Sequence, residues 1–216
     1  MIKEAEIIKV LITDDHPIVR KGLKQILDDC PGIKVIYEAS NGHELLNELI
    51  KQKVDVILLD ISMPDRNGLS LLKEIKNIKP KVAVLMLSIH PEEQYALRSL
   101  KLGASGYLTK SSTPDELIIA IRKVAIGKKY ITTTLAEKIA HDIGSASDKP
   151  VHEILSDREL EVMCMLARGK SNQNIAVELS LSPKTISTYR ERIMDKMNLK
   201  STAEIIRYAI KENLVD

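Results

Sequence analysis

The chain reads as an α/β protein: a five-stranded, doubly wound parallel sheet, joined by a linker to a smaller all-α domain of four helices. Three observations lead there. The first 125 residues alternate between short β-branched runs and stretches with apolar residues three and four apart. One of those runs, Val54-Asp55-Val56-Ile57-Leu58-Leu59, is almost continuously apolar, as a strand covered on both faces must be. Past a Gly/Ser/Pro-bearing stretch at 144–150 the strand signal disappears.

Taken in order, the strands are expected at Ile7–Thr13, Ile33–Glu38, Val54–Leu59, Val82–Leu87 and Gly106–Thr109. Helical stripes lie between and after them: Ile18, Val19, Leu23, Ile26 and Leu27; then Leu45, Leu46, Leu49 and Ile50; and at the end Leu117, Ile118, Ile121 and Val124. Thr113-Pro114-Asp115-Glu116 supplies an N-cap, a Pro at the first helical position and a capping-box Glu. Strands alternating with helices build a parallel sheet with helices on both faces. Residues 132–143 carry a weaker helical pattern, and 144–150 read as a flexible linker.

Beyond the linker, Ser156-Asp157-Arg158-Glu159 is a capping box opening a helix that stops at Gly169. Ser171 caps a short second helix, Leu181-Ser182-Pro183 breaks the chain, and a third helix runs to about Met197. Ser201-Thr202-Ala203-Glu204 opens a fourth, to about Asn213. Short helices joined by tight turns suggest a helix-turn-helix.

Composition sets limits. With no Phe and no Trp, the cores must be built from Ile, Leu, Val, Met and Ala. The net charge is only +2, and residues 151–216 hold ten Lys/Arg against ten Asp/Glu, so nucleic-acid binding cannot be argued from bulk charge. Cys30 and Cys164 stand in unrelated contexts, with no CxxC and no Cys/His cluster, and are expected as free thiols in a reducing cytoplasm. The charged start MIKEAEIIKV has no signal-peptide core, and no apolar run approaches the roughly 20 residues that span a bilayer. A cytoplasmic protein without a membrane partner is expected.

The chemistry gathers at strand ends. Open parallel sheets bind ligands beyond the carboxyl ends of their strands, where the strand order reverses. Asp14 and Asp15 end the first strand and Asp60 ends the third, so three carboxylates are expected in one crevice. Three clustered anions need a cation, and an all-oxygen set suits Mg2+. Ser88 ends the fourth strand and Lys110 follows the fifth, placing a hydroxyl and an ammonium opposite the acids. Nucleophilic carboxylate, divalent cation and balancing ammonium together suit phosphoryl transfer. Singly, each has a plainer explanation: Asp14 or Asp15 as cap of the helix at Pro17, Asp60 as cap of the next loop, Lys110 as a solvated lysine, Tyr107 as core.

Asp14-Asp15, Asp60 with Met63-Pro64 and Gly68, Ser88 and Lys110, in this order and each at a strand end, resemble the receiver domain of two-component response regulators over residues 7–126. The resemblance implies a flavodoxin-like receiver domain at 1–126 with Asp60 as phosphoacceptor. It implies Mg2+ held by Asp15, Asp60 and the Ser62 backbone carbonyl, with Asp14 acting through water. It further implies Lys110 and Ser88 as a phosphoryl clamp and Tyr107 as the switch aromatic that turns inward when Ser88 moves. Ser62 and His90 fall where the family varies to tune dephosphorylation.

On a wheel of about 100° per residue, Ile186, Tyr189, Ile193 and Met197 share one face of the third C-terminal helix. Lys184, Thr188, Glu191 and Asp195 point the other way, with Ser187 and Arg192 at the edges, a set of side chains suited to a major groove. Leu155-Ser156-Asp157-Arg158-Glu159-Leu160-Glu161-Val162, Leu166-Ala167-Arg168-Gly169-Lys170-Ser171-Asn172, Ile175-Ala176, Leu179, Ser182 and Lys184-Thr185-Ile186 resemble the LuxR-type helix-turn-helix of NarL/FixJ regulators over about 152–214. Residues 127–151 are then the linker and 152–216 the DNA-binding domain. Where many members carry Lys and His, this chain has Ser187 and Tyr189, and Glu191 replaces a commonly basic residue, so base preference does not transfer. DNA contacts are expected from Lys184, Thr185, Ser187, Thr188, Arg192 and Lys196. Tyr189 packs or touches a phosphate, and Arg190 is left between a salt bridge and a DNA contact.

The chain is therefore expected to be a phosphorylation-controlled transcriptional regulator rather than an enzyme. Its partners are a cognate histidine kinase, promoter DNA and, once phosphorylated, a second copy of itself through the fourth C-terminal helix. A haloacid-dehalogenase-type enzyme would carry a second Asp two residues after the first, where this chain has Ser62. A phosphate-independent adaptor, or a helical protein-interaction module at the C-terminus, fits the two motif strings less well.

Overall fold

The computed structural model describes residues 7–63, 66–89, 92–133, 135–137, 150–212 and 214–215. Two compact units divide between Ala136 and Glu137. In the first, a five-stranded parallel sheet has the order β2-β1-β3-β4-β5, with β1 Ile8–Thr13, β2 Ile33–Ala39, β3 Val56–Asp60, β4 Ala83–Ser88 and β5 Gly106–Thr109. Its helices are α1 Pro17–Asp28, α2 Gly42–Lys51, α3 Gly68–Ile78, α4 Glu92–Lys101 and α5 Pro114–Ala125. This is the expected doubly wound α/β fold.

The central strands are buried along their whole length, β3 and β4 at every residue. Val54 and Asp55 precede β3 rather than belonging to it. Asp55 instead takes the Lys9 amide on its Oδ2 at 2.9 Å, closing the base of the β1–β3 pair. Val10, Ile12, Val56, Leu58, Leu85, Leu108, Ile121 and Val124 form one core layer, with Tyr130 packed against it, and Tyr95 and Tyr107 are fully buried, so tyrosine joins the aliphatic residues expected to build the core. Each such aliphatic side chain contributes about 1.5–3 kcal/mol relative to exposure. Two stripe residues are exposed instead of buried: Ile18 is 86% exposed and Ile50 is 66% exposed, because each sits at the rim of its helix's apolar arc.

Local chemistry fixes the helix starts. Thr113 and Glu116 make the reciprocal capping box expected for α5. Asn41 and Asn67 cap α2 and α3 with their side-chain oxygens. Gly68 is required by close approach: a Cβ there would lie 2.3 Å from the Asp60 carbonyl oxygen. After α5 the chain returns to the sheet. Tyr130 bridges Gly106 in parallel and donates its amide to the Ser105 carbonyl at 2.8 Å. Lys123 Nζ lies over the Tyr130 ring, 5.6 Å from its centroid. The first residues of the expected linker are thus bound to the first unit. Residues 138–149, Pro64 and His90, on which other expectations fell, lie outside the described residues.

The second unit opens with a 3-10 turn at Val151–Ile154, then α6 Asp157–Ala167, α7 Asn172–Glu178, α8 Pro183–Met197 and α9 Thr202–Lys211. Ser156 and Glu159 form the expected capping box on α6. Gly169, with φ of +78°, turns the chain out of that helix. α6 buries Leu160, Val162, Met163, Cys164, Met165 and Leu166, and packs on α8 and α9. Both cysteines are free, and burial pushes the Cys164 thiol up to about 12, leaving it unreactive. At α9 the expected box is displaced by one residue: Ser201 caps the Glu204 amide, but the Glu204 carboxylate takes the Lys200 amide, at 2.7 Å.

Candidate functional site

The reversal of strand order falls between β1 and β3, and the acids converge there. Asp14 directly follows β1, and Asp60 is the last residue of β3. Asp14 is fully buried and Asp60 is 1% exposed, whereas Asp15 reaches the surface. Lys110, directly after β5, crosses the crevice and places its Nζ 2.7 Å from Asp14 Oδ2 and 2.8 Å from Asp60 Oδ2. Its amide donates to the Ser88 carbonyl at 2.7 Å, so the β4 and β5 termini are tied together at this point. Ser88 and Tyr107 are both fully buried on those strands.

One lysine does not balance this many acids. Burial, reinforced by Asp14 and opposed by Lys110, raises the Asp60 carboxyl to about 6. On Lys110 burial acts downward, but Asp60 and Asp14 together outweigh it and hold the ammonium above its ordinary range. The crevice carries excess negative charge in low dielectric, the condition that favours a divalent cation. Ligand atoms from Asp14, Asp15, His16 and Asp60 all lie within 4.8 Å of one another, so the donor set fits such an ion.

Of the plainer explanations of the acids, an aspartate N-cap on α1 does not hold, whereas Asp60 Oδ1 does take the Ser62 amide of the following loop, at 3.3 Å, beside its pairing with Lys110. His16, not an aspartate, occupies the N-cap of α1 and makes no side-chain cap. Asp14 Oδ1 accepts the His16 amide at 2.8 Å, and Lys110 is an ion-pair partner rather than a solvated lysine. Two residues were missed from the sequence. His16 Nδ1 stands 2.9 Å from Asp15 Oδ1 and 3.2 Å from Asp14 Oδ1. Arg20 Nη1, one turn into α1, donates to the Asp14 carbonyl at 2.6 Å. Adjacency to the acid pair was the signal available for the first; for the second only helix phase pointed inward.

In the second unit, α8 buries Ile186, Ile193 and Met197 and half-buries Tyr189. Lys184, Thr188, Glu191, Arg192, Asp195 and Lys196 are exposed, and Thr185 and Ser187 are partly so. Several of the expected contact residues are already engaged. Ser187 Oγ donates to the Pro183 carbonyl and accepts from Asn172 Nδ2 at 3.1 Å. Thr188 Oγ1 donates to the Lys184 carbonyl, and Thr185 Oγ1 shares a hydrogen with Ser182 Oγ at 2.8 Å. Lys196 Nζ lies 2.7 Å from Glu159 Oε2, a buried acid of α6 that the sequence reading used only as a cap. Burial pushes the Glu159 carboxyl up, but the Lys196 and Ser156 hydrogen bonds outweigh it and hold the group below its usual range. Arg190 forms no ion pair among the described residues, against the salt bridge left open for it.

Comparison with known proteins agrees with both halves. Residues 10–122 match the response regulator receiver domain model, and 153–209 match that of bacterial regulatory proteins of the luxR family. The response regulator UvrY of Escherichia coli K12 is 38% identical over 208 residues, 96% of this chain and 95% of that one. The oxygen regulatory protein NreC of Staphylococcus epidermidis is 36% identical over 218 residues, covering 96% and 99%. Among solved structures, RcsB of Salmonella enterica serovar Typhimurium, bound to promoter rprA in the presence of phosphomimetic BeF3-, superposes with a TM-score of 0.65 at 27% identity, covering 94% of this chain and 98% of that one. Acids at the strand-order switch and, later in the sequence, a helix-turn-helix thus make this chain a DNA-binding two-component response regulator of the NarL/FixJ family.

Proposed function

We propose that Asp60 accepts a phosphoryl group from a sensor histidine kinase and that this modification switches the C-terminal domain to bind promoter DNA as a dimer. The observation that supports it most is Lys110 bridging Asp14 and Asp60 at 2.7 and 2.8 Å in a buried crevice. A pKa of about 6 leaves Asp60 mainly ionised, and so nucleophilic, at neutral pH. Its oxygen attacks phosphorus, the P–N bond of the kinase phosphohistidine breaks, and the departing imidazole regains a proton. Mg2+, held by Asp15, Asp60 and the Ser62 carbonyl with Asp14 through water, would neutralise the phosphoryl oxygens. Lys110 exchanges part of its contact with Asp60 for a phosphoryl oxygen, and Ser88 donates its hydroxyl to another. Tyr107, already fully buried on β5, would repack as Ser88 moves and so bias a two-state receiver.

For DNA, Lys184, Thr185, Ser187, Thr188, Arg192 and Lys196 are the assigned contacts, with Lys196 and Ser187 acting partly through their hold on α8. α9 is the dimerisation element, in keeping with its exposed Ile210. Two copies would read half-sites about one helical turn apart. No described helix is long and apolar enough to cross a membrane.

The test is intact-protein mass after acetyl phosphate treatment with and without Mg2+, for the native chain and Asp60→Asn. One Mg2+-dependent phosphoryl group on the native chain, absent from the variant, is expected. An adduct that survives Asp60→Asn places the chemistry on another residue. Binding of promoter fragments that is indifferent to the adduct removes the switch.

A further inference from the structure

We infer that Glu191 is a base-reading residue and that it selects a cytosine in each half-site. The inference rests on the DNA-binding reading above and adds to it the chemistry of the sequence recognised.

With Ile186, Ile193 and Met197 buried, the opposite side of α8 presents Lys184, Thr188, Glu191 and Asp195 in a single file at i, i+4, i+7 and i+11. α8 is anchored at both ends: Asn172 holds Ser187 in the first turns, and Glu159 holds Lys196 in the last. The file therefore faces outward from a fixed helix.

Its hydroxyls have little left to offer a base. Ser187 Oγ already donates to one carbonyl and accepts from one amide, and Thr188 has committed its proton to Lys184. What remains outward is the Lys184 ammonium, the Thr188 methyl and the Glu191 and Asp195 carboxylates, of which Glu191 lies nearer the N-terminal half of the helix, the part that contacts base edges in a helix-turn-helix. Glu191 is exposed and has no hydrogen bond or ion pair among the described residues. Its neighbour one turn on is Asp195, a like charge at i,i+4 that weakens the helix.

An unpaired carboxylate on a DNA-facing surface is repelled by phosphates in every sequence. Only a donor on a base edge offsets that repulsion. In the major groove, guanine shows N7 and O6 acceptors and thymine an O4 acceptor, both of which repel a carboxylate. Adenine shows an N6 donor beside the N7 acceptor. Cytosine shows the N4 donor with no acceptor next to it, and is the base a carboxylate fits best. Glu191 thus favours cytosine and rejects guanine at the same place.

The experiment selects from randomised duplexes with the full chain, activated by beryllofluoride, in three forms: native, Glu191→Gln and Glu191→Lys. Circular dichroism checks that the variants fold. Selected sites are then titrated with single base-pair changes by fluorescence anisotropy at fixed salt. The native chain is expected to require C at one symmetric pair of positions, losing about tenfold in affinity on change to G. Glu191→Lys is expected to invert that preference to G, and Glu191→Gln to shift it toward A. The same motif selected by all three forms overturns the assignment while leaving DNA binding intact. So does uniformly tighter binding by the variants without a change of base, which reduces Glu191 to a charge that weakens affinity. If the native chain enriches no sequence at all, the DNA-binding reading itself fails and the assignment falls with it.

Discussion

Each unit of this protein joins a lysine to a buried acid, and the two pairs differ in kind. In the receiver, Lys110 is 13% exposed and faces two carboxylates that are themselves out of solvent. In the helical domain, Lys196 is 42% exposed and meets one acid, Glu159, whose other contacts are its own helix cap. The first pair leaves charge in excess, because desolvation and Asp14 hold Asp60 up near 6. The second is fully compensated. An arrangement left unbalanced is compatible with a divalent cation; a balanced one fastens two helices. Burial of an acid alone does not distinguish a reactive site from a structural clasp, whereas the surplus of charge does.

Replacing each lysine tests that contrast most directly. In the metal-free chain at pH 7, Lys110→Met should cost about 3 kcal/mol, since it strands two buried carboxylates. Denaturant midpoints will show it, with partial recovery near pH 5 where Asp60 protonates.

Next comes Asp60→Asn, with the opposite sign. A carboxyl whose folded pKa lies above its unfolded value of 3.8 binds more protons folded than unfolded between those two values. Stability from this group is therefore fully present below about pH 4 and is lost as pH rises through about 6, by about 2–3 kcal/mol. Asp60→Asn should stabilise the metal-free receiver by about that much at pH 7 and hardly at all at pH 4, as read from urea titrations at the two pH values.

In the other unit the effects shrink. Ser156→Ala removes the oxygen that caps α6 and should cost about 1 kcal/mol in thermal unfolding of the C-terminal domain. Lys196→Met should cost less than about 1 kcal/mol, and that small loss should fade with added salt. A Lys196→Met penalty as large as that of Lys110→Met would erase the distinction between the two pairs.

The sheet and the acid crevice were legible because both depend on strand ends. Apolar runs mark the strands, and a charged residue directly after each run is placed by the topology at the same edge. What stayed hidden depends on rotamers. Nothing in the sequence says that Lys196 would turn inward to Glu159, or that Ser187 would spend its hydroxyl on Pro183 and Asn172. Ile18 and Ile50 were misread for a related reason: a stripe fixes the centre of an apolar arc, while its edge is set by whatever packs beside it. The displaced cap at α9 shows the same limit, for Glu204 could reach either of two adjacent amides.

The bridge between Gly106 and Tyr130 fastens the end of the receiver to the chain that leaves it. The departing chain is sewn to the edge strand one residue before Tyr107, with the Tyr130 ring held from above by Lys123. Only a glycine tolerates this seam, since a Cβ at Gly106 would meet the Tyr130 carbonyl oxygen at 2.7 Å. Tyr107 therefore sits on a strand whose outer neighbour is the departing chain itself. The last strand of the receiver and the chain that leaves it share a single hem.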